Sequence, residues 1–507
     1  MPPLMHDALH RAAAQYGDRD AVLAGDDRWS FRRLDDASTE FSRHLRSRGV
    51  RRGDRVAMMT SNRPEFVVAI HGISQIGAAA VLLSPAWKAV EATHALELTG
   101  PVHAVADGPA VDLLVGLLGE GRVTDLDHPI PTDVADTGSS EASAPEAAIT
   151  EGDEVVLVFS SGTTGLPKAV RHTHHSMGCA TADWCVTLGL GPDDRFQVAT
   201  PPSHILGLLN LLAAASAGAT VRLHRRFDLD EVLRRIEDER MTLEMAVAPI
   251  ALAMANHPDL ERYDLSSLRY IMWGATPVSE HVARIVTERT GVRWLPAYGA
   301  SEVPVIACNP VEDPGSWRLD SAGLPPKDVE LRVADLETGE VLPSGGIGEI
   351  QVSSPSVMAG YLPEEESAGA FADGWYRTGD VGWMEPEGWV HLTDRSKEMI
   401  KVSGFQVAPA EVEEVLRSHP SVLDCAVFGL ADEQAGEVPV AVVQADPDRP
   451  VTVEEIQELV AGSLATYKQV RHVVFVDTIP RLPSGKVLRR TLRDEWTPVL
   501  LAPDGNT

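Results

Sequence analysis

Lysine is scarce in this sequence: 507 residues carry seven, against 37 arginines. Basic charge is short overall, because 74 Asp and Glu face 44 Lys and Arg for a net charge of −30. Such a balance favours solubility and disfavours nucleic acid or an anionic membrane surface as a partner. Cysteine is limited to Cys179, Cys185, Cys308 and Cys425, without a CxxC pair or a metal-ligand spacing, so free buried thiols are expected. The longest apolar run, 205–221, is interrupted by Asn210 and Ser216. It falls short of the roughly 20 residues that span a bilayer. The start, Met1 to Asp7, has neither a basic n-region nor an apolar h-region. A cytoplasmic enzyme without a secretory signal is the expectation. A G-x-S-x-G elbow is missing too, so no nucleophile triad is assigned.

Scarcity makes each lysine informative. Where a surface needs only positive charge this chain uses arginine, and a compact, flexible ammonium is not equivalent to a planar guanidinium. The seven are Lys88, Lys168, Lys327, Lys397, Lys401, Lys468 and Lys486.

The length calls for a large composite domain and at least one smaller one. Ser30 reads as an N-cap before Leu34, Ala37, Phe41 and Leu45 at helical spacing. Arg52-Gly53-Asp54 then turns the chain into a strand over 56–59, followed by a helix over 64–76 and an apolar run over 78–83. This alternation predicts parallel strands with crossover helices. The Asp-, Ser-, Ala- and Thr-rich segment 132–151 reads as a solvated connector. Patterns over 228–239, 243–248, 268–273 and 279–290 predict a second doubly wound unit, and short strands after about 325 predict a small β-rich subdomain. The expected fold class is α/β, with a large domain over 1–394 and a small α+β domain over 395–507 on a hinge. In the small domain, Pro409 opens a helix, Thr452 and Glu455 form a capping box, and strands fall near 425–428, 438–443 and 472–476. There is no internal repeat.

Chemistry concentrates in a few loops. The apolar strand 155–159 runs into Ser160-Ser161-Gly162-Thr163-Thr164-Gly165-Leu166-Pro167-Lys168. Hydroxyls and glycine amides in such a loop can surround phosphate oxygens, with the lysine adding charge. It is not a Walker loop, which needs glycine where Pro167 stands. His172, His174 and His175 crowd like metal ligands, but they lie where a strand should meet a capped helix, and metal binding is not assigned. Gly345-Gly346-Ile347-Gly348 lacks a strand-turn-helix context and reads as a β-turn.

The loop resembles the phosphate-loop signature of the acyl-adenylate-forming superfamily, which includes acyl-CoA synthetases, peptide-synthetase adenylation domains and luciferases. Later signatures follow in order, and together the matches span roughly residues 28–490. Tyr298-Gly299-Ala300-Ser301-Glu302 resembles the segment whose tyrosine stacks on adenine and whose glutamate helps hold magnesium. Gly274-Ala275-Thr276-Pro277 would, by the same resemblance, line the adenine. Tyr376-Arg377-Thr378-Gly379-Asp380 is similar to the motif whose aspartate binds the ribose. Asp394-Arg395-Ser396-Lys397 resembles the hinge, its arginine also reaching the ribose, and Pro480 to Lys486 resembles the loop whose lysine serves adenylation. Four of the seven lysines, Lys168, Lys397, Lys401 and Lys486, fall inside these motifs.

The resemblance implies ATP, magnesium and coenzyme A as cofactors and a small carboxylic acid as substrate. A carboxylate must approach the α-phosphate of ATP, and the two anions repel until cations neutralise them. Magnesium on Glu302, with Ser301 or Thr163 nearby, and the ammonium of Lys486 would supply that charge. The stretch Lys401-Val402-Ser403-Gly404-Phe405-Gln406-Val407 closely resembles the 4-coumarate-CoA ligase and luciferase branch. There the small domain rotates after adenylation, so Lys486 would serve adenylation, while Gly404, with Lys401, would serve thioester formation.

By the same resemblance, the acyl pocket is expected among His204, Ile205, Trp273, Ala300, Val303 and Val305. A bulky Trp273 implies a short pocket for an aromatic or small alicyclic acid. Ser301 stands where threonine is usual, and 303–305 does not align cleanly with coumarate ligases. Two alternatives stay open: adenylation with a non-CoA acceptor, whether an amine, a carrier-protein phosphopantetheine or another small nucleophile, and a non-catalytic nucleotide-binding homologue. A homodimer and a carrier protein acting in trans stay open as partners.

Overall fold

The computed structural model describes residues 4–129, 148–160, 167–276, 278–395, 397–403, 405–432, 434–482 and 485–501. Most of the expected connector 132–151 lies outside them.

A seven-stranded sheet forms the heart of the large domain, ordered Gly360–Leu362, Lys168–Thr173, Glu154–Ser160, Ala79–Leu82, Arg55–Met59, His103–Ala106 and Val123–Asp125. The last five strands run parallel, with helices as crossovers, and the alternation of the sequence anticipates this. The other end is antiparallel. Glu154–Ser160 turns back on Lys168–Thr173 with Ser160 opposite Lys168, so the two flanks of the Ser/Thr/Gly loop are held together as a hairpin. Thr173 caps the helix His174–Leu188 by accepting from the Ser176 amide at 3.2 Å.

A second sheet was not legible in the sequence. Asp20–Ala24 pairs in parallel with Thr220–Leu223, which pairs in parallel with Arg195–Val198. The apolar run becomes the helix Ile205–Ala217, buried on nearly every face. A third sheet joins Leu243–Ala246, Tyr270–Trp273 and Trp294–Tyr298 in parallel, as the second doubly wound unit requires. The expected β-rich part is an antiparallel sheet running from Glu330–Ala334 to Val390–Arg395.

The smaller domain wraps the helices Pro409–Arg417 and Val453–Ser463 onto a five-stranded sheet, and the Thr452/Glu455 capping box is present. Two carboxylates tie it to the rest of the chain. Asp394 Oδ2 accepts from the Ala410 amide at 3.1 Å, at the start of the helix Pro409–Arg417. In the opposite sense, Glu414 Oε1 on that helix accepts from the His281 amide at 3.0 Å, in the first turn of the helix Glu280–Thr290. Each side thus satisfies an orphan helix amide of the other.

Candidate active site

A cavity of about 530 Å³ opens between the large domain and the loop that carries Lys486. Five cations line it, Lys168, Arg377, Arg395, Lys397 and Lys486, together with the carboxylates of Glu302, Glu349 and Glu366. Lys168 begins the strand after the phosphate-loop hairpin, and its Nζ lies 3.5 Å from the centre of the Tyr361 ring and 3.8 Å from a Glu366 oxygen. Burial lowers its pKa, an effect that Glu302 and Glu366 oppose. Ser160 Oγ, also at the cavity, is buried without a hydrogen-bond partner among the described residues. An unpaired hydroxyl beside a lysine suits a phosphate oxygen.

Glu302 follows the strand Trp294–Tyr298, in a loop pinned by His172, whose Nε2 donates to the Ser301 carbonyl at 2.8 Å. Tyr361 donates its hydroxyl to Glu302 Oε1 at 2.8 Å. Magnesium keeps several waters and binds through one or two carboxylates plus substrate phosphates, so the buried Glu302 facing this cavity fits it. Among the described residues no cluster of three or more His, Cys, Asp or Glu could hold a metal by itself. His172 bonds the Ser301 carbonyl and His174 accepts from the Met5 amide.

Asp380 stands one step behind the cavity wall formed by Thr378 and Gly379. Its oxygens meet the Tyr298 hydroxyl at 2.6 Å and Arg395 Nε at 3.1 Å, so the tyrosine, aspartate and arginine of three separate motifs form one unit. The Asp380 carboxylate keeps Arg395 firmly protonated against the cost of its burial.

Lys486 enters from the smaller domain. Its loop is closed by the Leu482 amide donating to the Lys486 carbonyl at 2.8 Å and clamped by Arg481, which binds the Gly485 carbonyl and Asp424. Gly485 sits at φ +85°, where a Cβ would lie 2.7 Å from Pro249 Cδ, so a residue without a side chain is needed for this approach. Burial, and next Arg395, push Lys486 down to about 8. Lys401 is not brought into the cavity. It stands exposed on the strand Ile400–Val402, its amide donating to Glu437 at 2.7 Å.

The lining of the cavity corrects part of the expected acyl pocket. His204, Ile205 and Ala300 line it, as do Gly274, Ala275, Gly299 and Ser301. Trp273 does not. Along the strand Tyr270–Trp273, Tyr270 and Met272 face the main core whereas Ile271 and Trp273 face a second one, where Trp273 packs 5.0 Å from Trp294. Val303 and Val305 are likewise sealed in the core, and Pro304 takes their place at the wall. Thr276 also stays off the wall, its hydroxyl accepting from Trp273 Nε1 at 3.1 Å. The bulk assigned to Trp273 is supplied by Trp184, from the helix His174–Leu188, with Leu206 and Leu209 beside it. Trp184 Nε1 donates to Asn210 Oδ1 at 2.8 Å, which fixes the ring. The helical spacing of Met177, Ala180, Trp184 and Leu188 could have marked Trp184 as core, but not as pocket wall. His204 caps the helix Ile205–Ala217, Nδ1 accepting from the Leu206 amide at 3.3 Å. Burial pushes it down to about 4, so near neutrality it is an uncharged ring with its proton on Nε2. Of the remaining expected site residues, Ser161, Gly162, Thr163, Thr164, Gly165, Pro277 and Gly404 lie outside the described residues.

Comparison with known proteins gives the family of the chain. The 4-coumarate-CoA ligase 2 of Oryza sativa subsp. japonica is 36% identical over 477 residues, covering 88% of this chain and 84% of the relative. The anthranilate CoA ligase AuaEII, solved with anthranoyl-AMP, superposes with a TM-score of 0.89 at 26% identity, covering 97% of both chains. The amide bond synthetase McbA from Marinactinospora thermotolerans superposes with a TM-score of 0.86 at 30% identity, covering 97% of this chain and 99% of that one. Residues 9–362 match the AMP-binding enzyme family and residues 411–486 its C-terminal domain, and this chain therefore belongs to the AMP-binding enzyme family.

Proposed function

We propose that this chain uses ATP to activate a carboxylic acid as its acyl-AMP, with release of pyrophosphate, and then transfers the acyl group to the thiol of coenzyme A. The observation that carries this reading is Lys486. A lysine from the smaller domain reaches the same cavity as Lys168, Glu302 and the Tyr298–Asp380–Arg395 unit, a convergence that nucleotide binding alone does not require.

In the first half-reaction a carboxylate oxygen bonds to the α-phosphorus of ATP and the bond to pyrophosphate breaks. Lys486 and Lys168 offset the negative charge that gathers on the phosphates. Magnesium, when bound, neutralises further phosphate charge, and Glu302 is the residue that would hold it, with Thr163 as a second oxygen donor. Tyr298, Asp380 and Arg395 hold the nucleoside so that attack is in line. In the second half-reaction the smaller domain turns about a boundary near 394/395, with Lys397 at the hinge. Lys486 withdraws, and the face bearing Lys401 and Gly404 meets the pantetheine arm.

Trp184, Leu206 and Leu209 give the cavity wall bulky apolar side chains, which favours an aryl or small alicyclic acid over a long acyl chain. The coumarate and anthranilate ligases among the relatives point the same way. Pyrophosphate release across aryl, alicyclic and fatty acids, with and without coenzyme A and read by mass spectrometry, tests the whole reading. Acid-dependent acyl-CoA is expected, and a saturated C16 acid outperforming benzoates and cinnamates overturns the substrate class. A second reading keeps adenylation but makes an amine the acceptor, and the likeness to an amide bond synthetase supports it. Acyl-AMP that persists with coenzyme A and disappears with an amine, giving the amide, selects that reading.

A further inference from the structure

Lys168 and Glu302 pose a problem that their shared cavity does not solve by itself. Opposite charges facing one partly buried space attract strongly, and a direct ion pair would neutralise the cation meant for phosphate and the carboxylate meant for metal. Tyr361 stands in contact with both. It lies at the edge of the seven-stranded sheet, opposite Val170 on the strand that begins with Lys168, and it is buried. The flat of its ring is 3.5 Å from Lys168 Nζ, and its hydroxyl donates to Glu302 Oε1 at 2.8 Å, with the Tyr376 hydroxyl 3.4 Å further on. Burial and the Glu302 charge keep the phenol protonated, so toward the carboxylate it acts as a donor.

We infer that Tyr361 is a positioning residue that holds Lys168 and Glu302 apart, its ring parking the ammonium beside Glu366 and its hydroxyl fixing one carboxylate oxygen, so that Lys168 and Glu302 do not neutralise each other before phosphate and metal arrive. The two halves of the side chain separate under substitution. Y361F keeps the ring beneath Lys168 and removes the bond to Glu302, whereas Y361L removes both. The inference rests on the adenylation reading, and its test needs neither acid nor coenzyme A.

Titration of a non-hydrolysable ATP analogue into the full chain, without magnesium and across a magnesium series, reads the two halves directly. With Y361F, affinity for the metal-free analogue is expected to stay within about twofold of the parent, while half-saturating magnesium rises about tenfold, the scale of a lost bond to a charged acceptor. With Y361L, metal-free affinity is expected to fall by about three- to tenfold as well, the scale of a cation–π contact. Y361F is the shape-conserving variant, and its thermal midpoint, expected close to the parent's, separates a local effect from unfolding. A magnesium midpoint unchanged in Y361F overturns the carboxylate half, and equal metal-free affinity in Y361L and Y361F overturns the lysine half. An analogue that fails to bind the parent protein overturns the adenylation reading itself, and Tyr361 falls with it.

Discussion

Two lysines of the smaller domain, Lys486 and Lys401, share a residue type and stand in opposite surroundings. Lys486 is drawn into the cavity, where burial and Arg395 push its pKa down to about 8. Lys401 stands on a strand facing solvent, away from the cavity. In a chain with only seven lysines, both were conspicuous in the sequence and only the fold tells them apart. A lysine acquires a task from what surrounds its ammonium, and one domain can present different tasks on different faces.

The strongest way to break this contrast is to remove each ammonium in turn. Lys486→Ala should lower acid-dependent pyrophosphate release by about 10²- to 10³-fold, on the scale of losing one preorganised electrostatic contact, and leave nucleotide affinity nearly intact. Lys401→Ala should leave adenylate formation within about twofold, its effect confined to acyl-CoA formation. Equal losses of adenylate formation in the two variants would dissolve the distinction. A subtler break leaves Lys486 in place and disturbs its approach. Gly485→Ala puts a methyl against Pro249 at a left-handed backbone position and should slow adenylation by about tenfold or more, read as kcat in single-turnover assays.

Acidity sharpens the comparison. Lys486 is cationic below about 8 and loses its proton above it, so adenylation measured as kcat/KM should fall as pH rises through that value. Bound nucleotide phosphates favour the charged form, and the same limb in kcat should appear at higher pH. Stability moves the other way. Between about 8 and the ordinary 10.5 the unfolded chain binds the extra proton, so this group's contribution to folding grows with pH where its chemistry fades. In Lys486→Ala both effects should vanish, and in Lys401→Ala both should remain. The smallest expected effect belongs to Glu414→Ala, which strips one cap from the helix Glu280–Thr290. A loss of about 1 kcal/mol in chemical unfolding is expected, within the range of a lost helix cap.

Legibility followed the range of the interaction. The helices Pro64–Ile76 and Pro409–Arg417 and the Thr452/Glu455 box were readable because proline at a first turn and a hydroxyl three residues before a glutamate act locally. The loops that carry Lys168, Glu302 and Lys486 were readable as motifs. The acyl pocket was misread at Trp273 because a strand buried on both faces shows a continuous apolar run, and Tyr270-Ile271-Met272-Trp273 does not announce which side looks at the cavity. Trp184 was missed for a different reason. It reaches the pocket through the packing of one helix on the helix Ile205–Ala217, a tertiary fact with no local signature. The sheet that joins Asp20–Ala24 to Thr220–Leu223 links segments about two hundred residues apart, beyond any periodicity.

Asp394 and Glu414 give the seam between the domains a particular thermal character. The contacts they make are carboxylates on helix amides, groups that water can serve almost as well as protein does. Parting the seam at these points wets polar atoms and exposes little oil-like surface. Polar exposure lowers heat capacity while apolar exposure raises it. At these two joints the domain rotation proposed above would therefore leave the heat capacity almost unchanged, and their share of the balance between its positions would drift only gently from cold to warm.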